Sequence, residues 1–498
     1  MGLLPQELLL VWFRPELAVL VEGYREPALY FVKCVTSCKD CCTLPLPVNQ
    51  FVSKAFISQH YLTPEQVNSL LTNISSLEGF VECRDSVNAR RIISALPAYT
   101  WRLPPERESF DQTIAEIERQ WKRFTGTHGS KAGGIFGSIF YEAGDHTVAG
   151  LSDFHTHTGP ATPSFVGYAG LYLWQLTIPD APSTDLCGDA SLDFHPNFDY
   201  SLYEQILALT ESPSTELAPF AIANTFCLET PEDHYLAGVR RVLDYIHAGD
   251  CYQVNLSNKY SGRFRGEPYL AFRELVSAVP VPYAAYLNIG DAQVLSISPE
   301  LFLSIQDRKV MTKPIKGTRP RDHTGQEADH HLAKELASAS KDRAENLMIV
   351  DLLRNDLSRF CEPFSVKVTR LFNVESYQNV HQLVSTVEGI LKKELSPLRA
   401  MLAAFPGGSI TGAPKRRAME IIRELEPHSR GPYCGTIFRW NFQNNLESNI
   451  AIRTLMTRSD GSIHCWAGCG IVADSDPQEE YQESVTKVRK LMDVLQAM

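Results

Sequence analysis

No stretch of about 20 uncharged apolar residues occurs in the 498-residue chain, which excludes an evident membrane span. Positive charge is in deficit: 47 Lys and Arg face 58 Asp and Glu, for a formal net charge of −11. That balance excludes a general nucleic-acid binder, while leaving room for a local anion site. The apolar N-terminus is interrupted by Glu7, Arg14 and Glu16, and lacks the basic start and small-residue cleavage site of a secretory signal. A cytoplasmic protein with neither a nucleic-acid nor a membrane partner is expected.

Cysteine is present but unorganised. The 12 cysteines are mostly scattered, which suits reduced thiols in a cytosolic enzyme better than a secreted disulfide framework. Cys34, Cys38, Cys41 and Cys42 cluster in a way that invites zinc, yet no second CxxC follows at finger-like distance, so ordinary thiols are expected. His155 and His157 stand two apart as strand ligands do, but no nearby acidic or cysteine set completes a metal site. The GxxxxGK[ST] phosphate loop and the dinucleotide GxGxxG pattern are both missing. No near-repeat is visible.

What is present is apolar bulk. Hydrophobic residues make up 44% of the chain, ample for a large core, and the length suggests roughly two to four domains. Residues 1–125 are weakly patterned, with Phe110 to Phe124 at helical spacing. Beyond them, 129–165 reads as loops between short strands, Phe165 to Trp174 as a buried strand and turn, and 180–196 as loop. The texture is denser from about 230. Pro231 to His247 predicts a helix with the proline in its first turn. Strands are expected from Gln253 and over 285–289, 294–303 and 308–313. One long helix is expected from about Gly325 to Leu353, and further strands near 380–389, 433–440, 448–456 and 462–472. Strands and helices do not alternate simply, so an α+β fold with large sheets and outer helices is expected.

The segment Pro314-Ile315-Lys316-Gly317-Thr318-Arg319-Pro320-Arg321 reads as a constrained turn around Lys316. A lysine kept partly dry there can act as a neutral amine and attack carbon; a basic surface turn has the same composition. Glu345 lies on the long helix. Glu480 and Glu483, three apart on the last helix, share a face, with Lys487 one turn beyond. Oxygen ligands from these two helices can hold Mg2+ beside an anion, or can form a solvated, ion-paired face. The run Pro406-Gly407-Gly408-Ser409-Ile410-Thr411-Gly412-Ala413-Pro414-Lys415 lets backbone N–H groups approach an anion, and Thr411 adds a hydroxyl. Gly468-Cys469-Gly470-Ile471 offers a second close approach, and Arg453, on an expected strand Ile450 to Leu455, can grip a carboxylate bidentately. Tight turns or a single salt bridge would account for each of these features as well.

Taken together, Ser298-Pro299-Glu300, PIKGTRPR, AENLMIVDLLRND, PGGSITGAPK, the strand with Arg453 and AGCGIVADSDPQEEYQE resemble the chorismate-utilising enzymes. The resemblance is strong from about 225 to 498 and weak before, apart from FVGYAGLYLW. It implies one composite α+β fold with two large, mostly antiparallel sheets and outer helices. Residues 1–224 would contribute a divergent part of that fold and a tryptophan-sized pocket, regulatory or structural in similar proteins, bordered by Asn288 and Pro280-Val281-Pro282-Tyr283, with tryptophan as its candidate ligand. Residues 225–498 would form the chorismate-binding catalytic region.

Within the family, Lys316 resembles the mark of the branch that aminates chorismate at C4. Anthranilate synthases typically carry Ala at that position, and the water-adding branches carry a lysine where this chain has Gln253. The resemblance therefore implies an aminodeoxychorismate-forming enzyme of the folate route; the alternatives are anthranilate formation, with Lys316 a bystander, and a non-catalytic binding or regulatory protein on the same fold. Mg2+ would be held by Glu345 and Glu483, with Glu480 acting through bound water. Tyr433, Arg453, Thr411, Gly412, Ala413, Gly468, Gly470 and Lys487 would face the substrate carboxylates, and Thr318 and His381 the C4 side. Glu300 would protonate the departing hydroxyl, Lys316 would attack C2, and ammonia would enter at C4. No cysteine nucleophile with a distant His-x-Glu in an added domain is present, so a separate glutamine amidotransferase subunit is expected to supply ammonia. No extra domain is expected after residue 498, and so neither is lyase activity giving 4-aminobenzoate.

Overall fold

The computed structural model describes residues 11–12, 18–19, 59–125, 132–151, 164–180, 190–322, 325–377 and 379–498. The Cys34–Cys42 cluster and the His155/His157 pair lie outside the described residues. Two antiparallel sheets carry the fold, as expected. The first, of 12 strands, runs in the order Ala221–Leu228, Gln253–Arg265, Ser462–Ile471, Thr454–Arg458, Ala292–Ser298, Tyr283–Asn288, Val81–Asp85, Arg90–Ser94, Trp174–Pro179, Ala190–Phe194, Gln59–Leu62, with Gly412–Ala413 added beside Gln253–Arg265. The second, of 10 strands, runs Ile315–Pro320, Val380–Ile390, Lys309–Lys313, Leu301–Gln306, Leu446–Asn449, Thr436–Asn441, Gly134–Ile139, Gly167–Tyr172, Tyr99–Leu103, with Lys367–Ser376 also on Val380–Ile390. One continuous apolar core joins them. Helices cover the outside, and none among the described residues is long and apolar enough to cross a membrane.

Several elements differ from the sequence reading, each for a local reason. The expected strand 294–303 is two strands in different sheets, Ala292–Ser298 and Leu301–Gln306. Pro299 has no N–H for a ladder, and the chain crosses between sheets there. The expected long helix is two, Gln326–Ser338 and Ser340–Ser358, parted by Ala339 in an extended conformation. Ser338 helps to end the first by donating its hydroxyl to the carbonyls of Lys334 and Glu335. The segment 180–196, read as loop, contains the strand Ala190–Phe194. Pro231 is the N-cap of Glu232–His247 rather than part of its first turn. Lys316 lies on a strand, not in a turn, and the constraint sits in Gly317, at φ +78, where the ladder slips between Ile315 and Thr318. A Cβ on Gly317 would also come within 2.7 Å of the Asp342 side chain.

The last helix, Pro477–Gln496, shows how sequence aims the site. Asp476 caps it by accepting from the N–H groups of Gln478 and Glu479, a contact worth about 1 kcal/mol. Pro477 suits the first turn. Ser484, Val488, Leu491 and Leu495 recur at helical spacing and bury one side. That anchors Glu480, Glu483 and Lys487 along the end of the Ser462–Ile471 strand.

Candidate active site

Two crossings of the chain between the sheets are bonded to each other, and the candidate site begins there. One crossing carries Glu300; the other, Ile450 to Arg453, links Leu446–Asn449 to Thr454–Arg458. Ser298 Oγ donates to the Ile450 carbonyl at 2.5 Å, Ile450 N–H to the Glu300 carbonyl at 3.0 Å, and Ile297 N–H to the Arg453 carbonyl at 3.0 Å. Arg453 adopts φ +51, which breaks the ladder, so it precedes the Thr454–Arg458 strand instead of lying on it as expected. Its guanidinium has no hydrogen-bond or ion-pair partner among the described residues, and burial pulls its pKa down. An unpaired, partly buried cation is a ready partner for an anion.

Glu300 is buried at 7% exposure and accepts one side-chain hydrogen bond, from Ser409 Oγ at 3.0 Å. Burial pushes its carboxyl up to about 7, against the opposing pull of Ser409, Lys316 and Lys487. Ser409 was passed over in the sequence because it sits among glycines that invite a backbone reading; its hydroxyl was the available signal. Lys316 Nζ stands 3.9 Å from Glu345 Oε2, and its charge also acts on Glu483.

On the last helix, Glu483 pairs with Lys487 at 2.7 Å. Burial raises the Glu483 pKa, but Lys487, Cys469 and Lys316 bring it below the usual carboxylate value. Glu480 accepts from Ser475 Oγ at 2.6 Å, and its pKa is raised, burial first and Glu483 adding to it. Lys487 also donates to the Gly468 carbonyl at 3.1 Å. The ligand atoms of Cys469, Glu480 and Glu483 lie within 4.8 Å of one another. Glu345 is not in that group; it stands against Lys316.

The glycine-rich run is a short helical turn at Gly408–Ile410 followed by the strand Gly412–Ala413. The Thr411 hydroxyl donates within the loop, to Gly407 O at 2.8 Å. A Cβ on Gly412, at φ +142, would fall 2.1 Å from the Gln253 carbonyl, so only glycine fits. Ala413 pairs with Gln253. Gly468 and Gly470 pair with Ser257 and Asn255, and the Gln253 side chain lies against Gly470 with both amide atoms buried and unpartnered. Tyr433, in the turn before Thr436–Asn441, is 3% exposed and stacks on Trp466 at 6.5 Å. Thr318 is exposed opposite Gln382. His381 is bonded to Asp329 at 2.9 Å and Ser376 at 2.8 Å, and no described contact ties it to the Lys316 cluster. Tyr283, from the segment expected to border a tryptophan-sized pocket, lines a crevice of about 30 Å³ with Arg439 and Glu447, room for one or two waters. Asn288 is held by Ser76 O at 3.1 Å.

The model of the chorismate binding enzyme family matches residues 86–493. The chain belongs to that family. Aminodeoxychorismate synthase component 1 of Klebsiella aerogenes is 44% identical over 301 residues, 60% of this chain and 66% of that protein. The protein of the same name from Salmonella typhimurium is 39% identical over 366 residues, 69% of this chain and 80% of its own length. In structure, the chain is similar to anthranilate synthase component I of Streptococcus pneumoniae, with a TM-score of 0.66 and 26% identity over 81% of this chain and 92% of the other.

Proposed function

We propose that the chain aminates chorismate at C4, giving 4-amino-4-deoxychorismate, in the cytoplasm. The observation that carries this reading is Lys316, a primary amine beside Glu345 whose charge reaches both Glu300 and Glu483. The two relatives named aminodeoxychorismate synthase component 1 support it. In this reading Lys316, once its proton has passed to solvent, attacks C2 of chorismate, the double bonds shift, and the C4–O bond breaks as Glu300 delivers its proton, releasing water. Ammonia then bonds to C4, the double bonds return, the C2–N bond breaks to free the lysine, and the new C4 ammonium returns a proton to Glu300. Hydroxide is a poor leaving group, so a carboxyl still protonated near neutrality fits the acid's task. Arg453 and Tyr433, with the backbone at Thr411, Gly412, Ala413, Gly468 and Gly470, hold the substrate carboxylates, assisted by Lys487. Thr318 and His381 serve the C4 side, His381 after leaving Asp329.

Mg2+ takes oxygen ligands and keeps several waters. Glu480 and Glu483 offer oxygens in one cluster, and Lys316 stands near both Glu345 and Glu483, so the carboxylates fit such an ion. Glu345 and Glu483 would hold it directly and Glu480 through water; when bound, it supplies positive charge for the C1 carboxylate. A separate glutamine amidotransferase subunit supplies the ammonia. Tryptophan in the Tyr283 crevice would require Arg439 and Glu447 to swing aside.

The test is product identification by mass and chromatography after incubation with chorismate, Mg2+ and ammonium, beside Lys316→Ala. Aminodeoxychorismate from the wild type and its loss in the variant is the expected result. Anthranilate with pyruvate, unchanged by the substitution, would overturn the reading.

A further inference from the structure

We infer that Lys415 and Asp356 are positioning residues of the site: their buried ion pair holds the loop that brings Ser409 to Glu300 against the helix that brings Glu345 to Lys316. The inference rests on the proposed roles of Glu300 and Glu345, and adds what aligns them. Lys415 opens the helix Lys415–Leu425, and Asp356 lies in the last turn of Ser340–Ser358. Their side chains are 10% and 4% exposed. Lys415 Nζ donates to Asp356 Oδ2 at 2.8 Å, and also at 2.8 Å to the carbonyl of Ala404, the last residue of the helix Pro397–Ala404. One ammonium thus joins both ends of the glycine-rich run 405–414 to a third helix.

Stability does not account for the pair. A cation at a helix N-terminus and an anion at a C-terminus each oppose the helix dipole. Burial works against both charges, raising the Asp356 pKa and lowering that of Lys415, while Arg359 favours the carboxylate and disfavours the ammonium. A well-packed apolar pair of similar volume is often as stable or more so. What the pair supplies is register. Glu345, Ile349, Leu352 and Asp356 follow one stripe of their helix, at steps of four, three and four residues. Glu345 stands beside Lys316 at one end of the stripe, and Asp356 lies about 16 Å away at the other. Between them, a Cβ on Gly408 would fall 2.3 Å from Leu352 Cδ2, so the loop lies directly on this stripe. The next residue is Ser409, whose hydroxyl reaches Glu300 at 3.0 Å. With no side chain at Gly407 or Gly408 to lock it, the loop can slide along the helix; the ion pair stops it. Arg430 and the Asn255 N–H tie the far half of the run at the Ile410 and Thr411 carbonyls, and the pair, through Ala404, ties the half with Ser409.

The experiment replaces both charges together in the full chain, Lys415→Met with Asp356→Leu. It reads kcat and the infrared carboxyl band of protonated Glu300, assigned as the band absent from Glu300→Gln. Ser409→Ala is the reference, because loss of its hydrogen bond moves that band to higher frequency. The double substitution should fold as stably as the wild type. It should lower kcat by roughly 10- to 100-fold, as an ångström-scale displacement does, and move the band as far as Ser409→Ala does. Adding Ser409→Ala to it should move the band no further. A Glu300 band at its wild-type frequency in the double substitution would overturn the inference, whatever kcat did. So would a band that Ser409→Ala still moves in full, because the pair would then act elsewhere. If the double substitution does not fold, Lys415→Arg decides. It keeps the charge but places its donors in a rigid fork; a band moved in the same direction supports the inference, and an unmoved band overturns it. The band does not depend on the product formed, so a moved band with anthranilate as product would keep the positioning role and remove the functional reading.

Discussion

Glu300 and Glu426 are both buried glutamates, 7% and 4% exposed, yet the protein treats them oppositely. Glu426 accepts from Arg430 Nε at 2.8 Å and Nη2 at 2.7 Å, and from Ser257 N–H at 2.7 Å and Oγ at 2.8 Å. Burial raises its pKa, but Arg430, His428 and Ser257 outweigh that and leave it lowered. Glu300 has one side-chain donor, and burial wins. Burial alone therefore does not decide whether a carboxyl keeps its proton; the charge paired directly with it comes first, and the donors around it add to that. The satisfied glutamate belongs to a structural knot, for Arg430 also donates to the carbonyls of Ile410 and Asn255. The unsatisfied one is pushed toward its protonated form.

The sharpest way to break this contrast is to unpair the knot. Arg430→Met strands Glu426 in the interior and should cost about 3–5 kcal/mol of stability, read by denaturant unfolding. Glu300→Gln should do the reverse. It should leave the unfolding midpoint at neutral pH unchanged or raised, and lower turnover by about 100-fold or more, as loss of a general acid does. Titration gives the third expectation. As the acid of the proposed reaction, Glu300 acts while protonated, so kcat/KM should fall above about pH 7. Its folded pKa lies above the unfolded value of 4.5, so the native state holds more protons between those two values. This group's contribution to stability therefore falls as pH rises from about 4.5 to about 7, and Glu300→Gln should flatten that slope. The smallest effect is expected from Ser409→Ala. Removing the bond that favours the carboxylate should move the basic limb upward by up to about one pH unit.

Much of the candidate site was legible because its parts are local in sequence. Lys316 and the Glu480, Glu483 and Lys487 face could be singled out from motif and helical spacing, and Glu300 from the family resemblance. The sheets could be anticipated because their strands are apolar and bounded by turns. What escaped depended on the third dimension or on one backbone angle. The helix break at Ala339 is marked in the sequence by nothing stronger than Ser338, and the φ of Arg453 goes with the bonded crossings at Ser298 and Ile450. Glu426 and Arg430 are four apart on the chain, a spacing that hints at a pair, but their further partners come from Gln253–Arg265 and the loop at Ile410.

The sheets join early and late parts of the chain: Gly134–Ile139 pairs with Thr436–Asn441, and Val81–Asp85 with Tyr283–Asn288. On the ribosome, the edge of Gly134–Ile139 that will receive Thr436–Asn441 waits while about 300 residues are made, roughly 15–60 s at ordinary elongation rates. An unpaired strand edge is a template for unwanted pairing. The nascent chain is thus obliged to keep an adhesive border covered for most of its own synthesis, and its yield in a cell should depend on holdase chaperones more than its final stability suggests.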